Sequence, residues 1–193
     1  GEYAEAEALI EHELPLGAGS GFVWDRQGHV VTNFHVIDGA EQVEVALADH
    51  SHWRARLVGL APELDLAVLR IDAPAERLVP LPVGDSTRLR VGQTVLAVGN
   101  PFGLGGTVTA GIISAEGRDI GAGPYDNFLQ IDAPVNRGNS GGPTFNPKGE
   151  VVGVNTAIYS PSGGNVGIAF AIPAITASEV VTQLKSGGSV NRG

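Results

Sequence analysis

The chain has 193 residues, 28 of them glycine and 12 proline, with no cysteine, and its 12 Lys and Arg against 21 Asp and Glu leave a formal net charge of −9. A chain of this length buries roughly 70% of its unfolded surface without any staple, and the missing cysteines exclude a disulfide framework and a thiolate metal site. Dispersed cations in an acidic chain exclude a phosphate-tracking surface, so nucleic acid is not an expected partner. No apolar run approaches the ~20 residues of a membrane-spanning helix.

Ala4 to Glu13 reads as a short helix with Leu9 and Ile10 as its apolar residues, ended by Pro15 and Gly17. From Gly19 the pattern changes to short strands: Gly21 to Asp25, His29 to Thr32, Gln42 to Leu47, Trp53 to Gly59 and Leu66 to Ile71. Asp72 to Asp85, with Pro74, Pro80 and Pro82, is a linking stretch. A second series follows at Thr94 to Gly99, Thr107 to Glu116, Phe128 to Asp132, Thr144 to Phe145, Glu150 to Ile158 and Val166 to Ala171. Pro173 then opens a helix, Ala174 to Leu184, which closes on Gly187 and Gly188. The expected fold is all-β: two packed six-stranded antiparallel barrels with short N- and C-terminal helices. The expected division is an N-terminal segment 1–18, a first barrel with linker 19–85, and a second barrel with the terminal helix 86–193.

Gly138-Asn139-Ser140-Gly141-Gly142-Pro143 carries the strongest chemical signal. A serine hydroxyl is a poor nucleophile until a base takes its proton, and the developing oxyanion needs donors already aimed at it. Flanking glycines let the backbone expose the hydroxyl and turn the amides of Gly138 and Ser140 to one spot, so the oxyanion site is assigned to Gly138, Asn139 and Ser140. His35 ends the apolar run Val31 to Thr32, and Asp65 lies between Leu64 and Leu66. A carboxylate among leucines needs a partner; the Nδ1–H of His35 supplies one and leaves Nε2 to accept the serine proton. Asp132 is the rival acid, but it stands eight residues before Ser140 on the same strand-to-loop path. Gly17 to Gly21 and Gly103 to Gly106 read as turns, lacking the strand–helix context and the lysine of a phosphate loop. His12, His29, His50 and His52 read as surface histidines, with no third ligand beside His50 and His52. No metal and no cofactor is expected.

The residues resemble the protease domain of the HtrA (Deg) family of trypsin-like serine proteases. The resemblance runs from about Gly19 to Gly193. It rests on Gly19-Ser20-Gly21-Phe22-Val23, Val31-Thr32-Asn33-Phe34-His35-Val36, Asp65-Leu66-Ala67-Val68, Gly99-Asn100-Pro101-Phe102-Gly103-Leu104, Gln130 to Asn136 leading into Gly138 to Pro143, and Gly167 to Pro173. It implies a chymotrypsin-like two-barrel fold, with His35, Asp65 and Ser140 in a triad. It also implies ATP-independent cleavage of unfolded proteins, a periplasmic location and a homotrimer held by N-terminal segments that include Tyr3. PDZ domains usually follow in the family; none is seen in this chain, and one is expected in the full-length protein. By resemblance, Val135 and Ile158 line the pocket for the residue before the cut, Thr156 supports Asp65, and Arg118, in the loop Gly117 to Asn127, matches the family's sensor arginine. Asn139 replaces the aspartate of digestive relatives and cannot make their activation ion pair. An uncharged aliphatic pocket implies cleavage after small to medium aliphatic residues. The other functional class is a module that holds unfolded chains and cuts little.

Overall fold

The computed structural model describes residues 8–12, 18–100, 106–121, 127–136, 138–158, 160–187 and 190. Among them the chain closes two antiparallel barrels of six strands each. The first contains β1 (Ala8–His12), β2 (Ala18–Val23), β3 (His29–Thr32), β4 (Val43–Leu47), β5 (His52–Ala61) and β6 (Leu66–Ile71), arranged β1-β2-β3-β6-β5-β4. The second contains β7 (Thr94–Gly99), β8 (Thr107–Arg118), β9 (Phe128–Ile131), β10 (Pro143–Phe145), β11 (Val151–Ile158) and β12 (Ala169–Pro173), arranged β10-β11-β12-β9-β8-β7. A single helical turn, α1 (Phe34–Ile37), follows β3, and α2 (Ala174–Gly187) follows β12.

Inward residues fill each barrel separately: Val23, Val30, Val45, Leu69 and Ile71 in the first, and Val95, Ile113, Ile131, Val152 and Ala169 in the second. A third cluster joins them. Phe22, Val31 and Leu66 from the first barrel meet Val98, Phe145 and Val154 from the second, and Val180, Val181 and Leu184 of α2 complete it. Phe22 is fully buried in this seam, and truncating such a side chain to alanine costs about 3 to 5 kcal/mol. The seam fixes how the two barrels face each other, and therefore how the loops at their meeting edge approach.

Two expectations fail locally. The N-terminal helix is a strand wherever it is described: β1 pairs with β2 (Leu9 opposite Ser20) and with β4 (Ile10 opposite Val45). Without it β2 and β4 would each expose an unpaired edge, and that tertiary gain outweighs a weak local helix preference. The last strand also starts later, at Ala169 rather than Val166, and runs through Pro173. Ahead of it, Gly167 takes φ +86° and its amide donates to Asn165 Oδ1 at 2.8 Å, which makes Asn165 to Gly167 a turn.

Candidate active site

The chain leaves β3 at Thr32, turns at Asn33 and places His35 on α1. That turn is fastened to Asp65: Phe34 N donates to the Asp65 carbonyl at 3.1 Å and Asn33 Nδ2 donates to it at 2.8 Å. Asp65 follows a 3-10 turn at Pro62–Leu64 and has φ 52° and ψ 41°, the left-handed region that Asp tolerates better than most residues. It therefore stands just ahead of β6 rather than within the strand. Its Oδ1 accepts from His35 N at 2.9 Å, and its Oδ2 accepts from the ring Nδ1 at 2.6 Å. A carboxylate can only accept, so Nδ1 carries the proton and Nε2 is left as an acceptor. The His35 side chain is 50% exposed and that of Asp65 26%.

A third donor reaches Asp65 from the other barrel. The pairing of β11 with β12 shifts between Asn155 and Ala157, which makes Thr156 the extra residue of a bulge. Thr156 Oγ1 donates to Asp65 Oδ2 at 2.5 Å, while the Thr156 carbonyl accepts from Ser140 Oγ at 3.3 Å. One residue thus touches both the carboxylate and the serine. The second bond is long for O–H···O and easily traded for a better acceptor.

Ser140 stands in a turn with Gly138 at φ +97° and Gly141 at φ +87°. Gly141 is also a packing requirement, since a Cβ there would lie 2.1 Å from the Ser20 carbonyl. The Asn139 amide donates to Asn136 O at 3.1 Å, and the Asn139 carbonyl accepts from Gly142 N at 3.0 Å. Asn139 is therefore not a third oxyanion donor, because its N–H is already taken. The amides of Gly138 and Ser140 have no acceptor among the described residues. The Asn139 side chain is 2% exposed and its Oδ1 is without a partner among the described residues. It lies where a Cβ on Gly99 would come within 2.5 Å.

Val135 and Ile158 belong to the apolar core cluster of the second barrel, Val135 2% exposed within it and Ile158 packed against it. Asn165, which sequence reasoning passed over, donates through Nδ2 to Val135 O at 3.1 Å and ties the following turn to this wall. Arg118 ends β8, and its Nε donates to Gln130 Oε1 at 3.0 Å, so its bond is to β9 and not to the His35–Asp65 pair. Residues 122–126 of its loop, the segment 101–105 and Tyr3 lie outside the described residues. Asp132, the rival acid, accepts from Ile112 N, midway along β8, at 2.7 Å. His29 is buried against Asp25 at 2.8 Å and His52 pairs with Glu44 at 2.6 Å. His29 is thus a core residue rather than a surface one. Ser20 and Asn33 are further contacts that sequence reasoning passed over. Ser20 stood in the quoted Gly19-Ser20-Gly21 block, but a Gly-Ser-Gly run reads locally as a turn.

Residues 19–154 match the family model described as trypsin-like peptidase domain, the class to which two such barrels with a His, Asp and Ser at their junction point. The chain belongs to the HtrA (Deg) family of these serine proteases. It is 60% identical over 182 residues to a protein named probable periplasmic serine endoprotease DegP-like from Brucella suis, covering 94% of this chain and 36% of that protein. It is 52% identical over 192 residues to chloroplastic protease Do-like 1 of Arabidopsis thaliana, covering 97% of this chain and 44% of that protein. Among solved structures it resembles the HtrA-type protease AlgW with tripeptide at TM-score 0.93 and 46% identity, covering 97% of this chain and 62% of that one. The serine endoprotease from Yersinia pestis superposes with TM-score 0.86 at 40% identity, covering 99% of this chain and 66% of that one. The chain thus spans little more than a third of the length of the bacterial relative.

Proposed function

We propose that the protein is an ATP-independent serine endopeptidase of the periplasm that cleaves unfolded polypeptides through an acyl-enzyme. The contact that supports this reading is Thr156, whose hydroxyl holds the Asp65 carboxylate and whose carbonyl holds the Ser140 hydroxyl, so that one residue bridges the His35-paired acid of one barrel and the serine of the other. Ser140 Oγ attacks the scissile carbonyl and its proton passes to His35 Nε2. Asp65 keeps the ring in the tautomer that can accept it, and the amides of Gly138 and Ser140 receive the negative charge that forms on the carbonyl oxygen. His35 then returns the proton to the departing amine, and water releases the acyl group by the same route in reverse. The two barrels, 19–85 and 86–193, act as halves of one peptidase unit.

Val135 and Ile158 give the pocket before the cut an aliphatic wall, and neither side chain carries a charge to offset the desolvation of a Lys or Arg. Cuts therefore fall after Val, Ile, Ala or Leu, with discrimination among them of only about 1 to 3 kcal/mol. Such residues are hidden in folded proteins, which by itself directs the enzyme to unfolded chains and supports a role in protein quality control. Arg118, at the end of β8, leads into a loop that controls the site, and three copies assemble through N-terminal segments. Casein cleavage with a Ser140→Ala control tests the activity. Cleavage that the variant abolishes supports the reading, and casein held but uncut by the unaltered chain would support the holding module instead. Peptide profiling on a denatured proteome tests the pocket: a majority of cuts after basic or aromatic residues would refute it.

A further inference from the structure

Ser20 is fully buried in β2, in the first barrel, yet all its side-chain bonds go to the second. Its Oγ donates to the Gly138 carbonyl at 2.6 Å and accepts from Asn100 N at 2.8 Å, just past the end of β7. Its own amide donates to the Ser140 carbonyl at 2.8 Å. Each of these atoms has one direction to serve. A carbonyl can only accept and an amide N–H can only donate, so the hydroxyl proton goes to Gly138 O and a lone pair of Oγ takes the Asn100 N–H.

The peptide joining Gly138 to Asn139 is consequently held at both ends, its carbonyl by Ser20 Oγ and its N–H by Asn136 O at 3.1 Å. The carbonyls of Gly138 and Ser140 are both anchored on Ser20, and the two amides without an acceptor, Gly138 N and Ser140 N, belong to the same short turn. Gly138 at φ +97° has no Cβ to resist rotation of the peptide planes beside it. An external anchor is what keeps that turn in one orientation, since preorganised donors are effective only if they need not reorient during reaction.

We infer that Ser20 is a positioning residue for the oxyanion site: its hydroxyl fixes the Gly138–Asn139 peptide so that the neighbouring amides face the developing charge, and couples that orientation to the backbone at Asn100. The inference rests on the acyl-transfer reading above. The test compares the full chain with its Ser20→Ala and Ser20→Cys variants on a peptide amide substrate, alongside affinity for a peptide boronic acid, whose tetrahedral adduct places an oxygen in the oxyanion site. Ser20→Ala should lower kcat ~10- to 100-fold with KM within about twofold, and weaken the boronate by a similar factor. The pH profile should keep its shape, because His35 and Asp65 are untouched. Ser20→Cys, which keeps the shape but donates weakly, should fall between. A folded Ser20→Ala chain with unchanged kcat and boronate affinity would overturn the inference. So would a loss of kcat that follows thermal stability across both variants while boronate affinity holds. If Ser20→Ala does not fold, Ser20→Cys decides by the same two readouts. Failure of the underlying reading shows elsewhere, as hydrolysis by the unaltered chain that Ser140→Ala does not remove.

Discussion

Thr156 is the side chain whose loss separates positioning from proton transfer. Its hydroxyl supplies one of three donors to the Asp65 carboxylate, beside the His35 amide and ring. Thr156→Val keeps the shape and removes that donor, leaving His35 alone to hold the acid. The expected loss in kcat is about 10- to 100-fold, well below the roughly 10⁶ expected for Ser140→Ala or His35→Ala. Steady-state kinetics on one peptide substrate checks the order. An Asp132→Asn variant as damaging as Ser140→Ala, beside a mild Asp65→Asn, would reverse the assignment of the acid. The His35–Asp65 pair and the glycine-bounded turn at Ser140, which the proposed triad uses, could be picked out in the sequence because each residue violates its surroundings: a carboxylate between leucines, a histidine closing an apolar run, a serine inside glycines. Ser20 was not legible in the same way. Its partners Asn100 and Gly138 lie 80 and 118 residues away, and nothing local in Gly-Ser-Gly announces them.

Among the elements, α2 does the joining. It leaves the second barrel and packs against β5 and β6 of the first, and near its end Lys185 Nζ meets Asp25 Oδ2 at 2.6 Å. Burial alone would raise the Asp25 carboxyl, but hydrogen bonds from Lys185 and then from His29 outweigh it and hold the group at about 2, below its ordinary 3.8. A depressed carboxyl stabilises the fold at every pH above its unfolded value, and the contribution is lost as pH falls from about 3.8 toward about 2. After solvent screening it amounts to on the order of 1 kcal/mol. Lys185→Met should therefore begin acid unfolding at a higher pH than the unaltered chain, read by circular dichroism from pH 5 downward. Superimposable acid curves would show that the pair contributes nothing. The strands of both barrels were largely legible from alternation and turn residues, and α2 from Pro173 onward. β1 was not, because its preference is set by two neighbouring strand edges and not by its own residues.

For the whole molecule, two barrels with separate cores and a shared seam explain why the site needs both halves: His35 and Asp65 come from one and Ser140 and Thr156 from the other. A trimer by light scattering at micromolar concentration is the expected state, and a monomer under those conditions would count against it. In the proposed chemistry Ser140 is a nucleophile activated by His35. Labelling with a fluorophosphonate probe, read by intact mass and peptide mapping, tests it most directly. One adduct per chain on Ser140 is expected, abolished in Ser140→Ala and strongly slowed in His35→Ala. An adduct on another residue, or labelling of Ser140 at the same rate without His35, would contradict it.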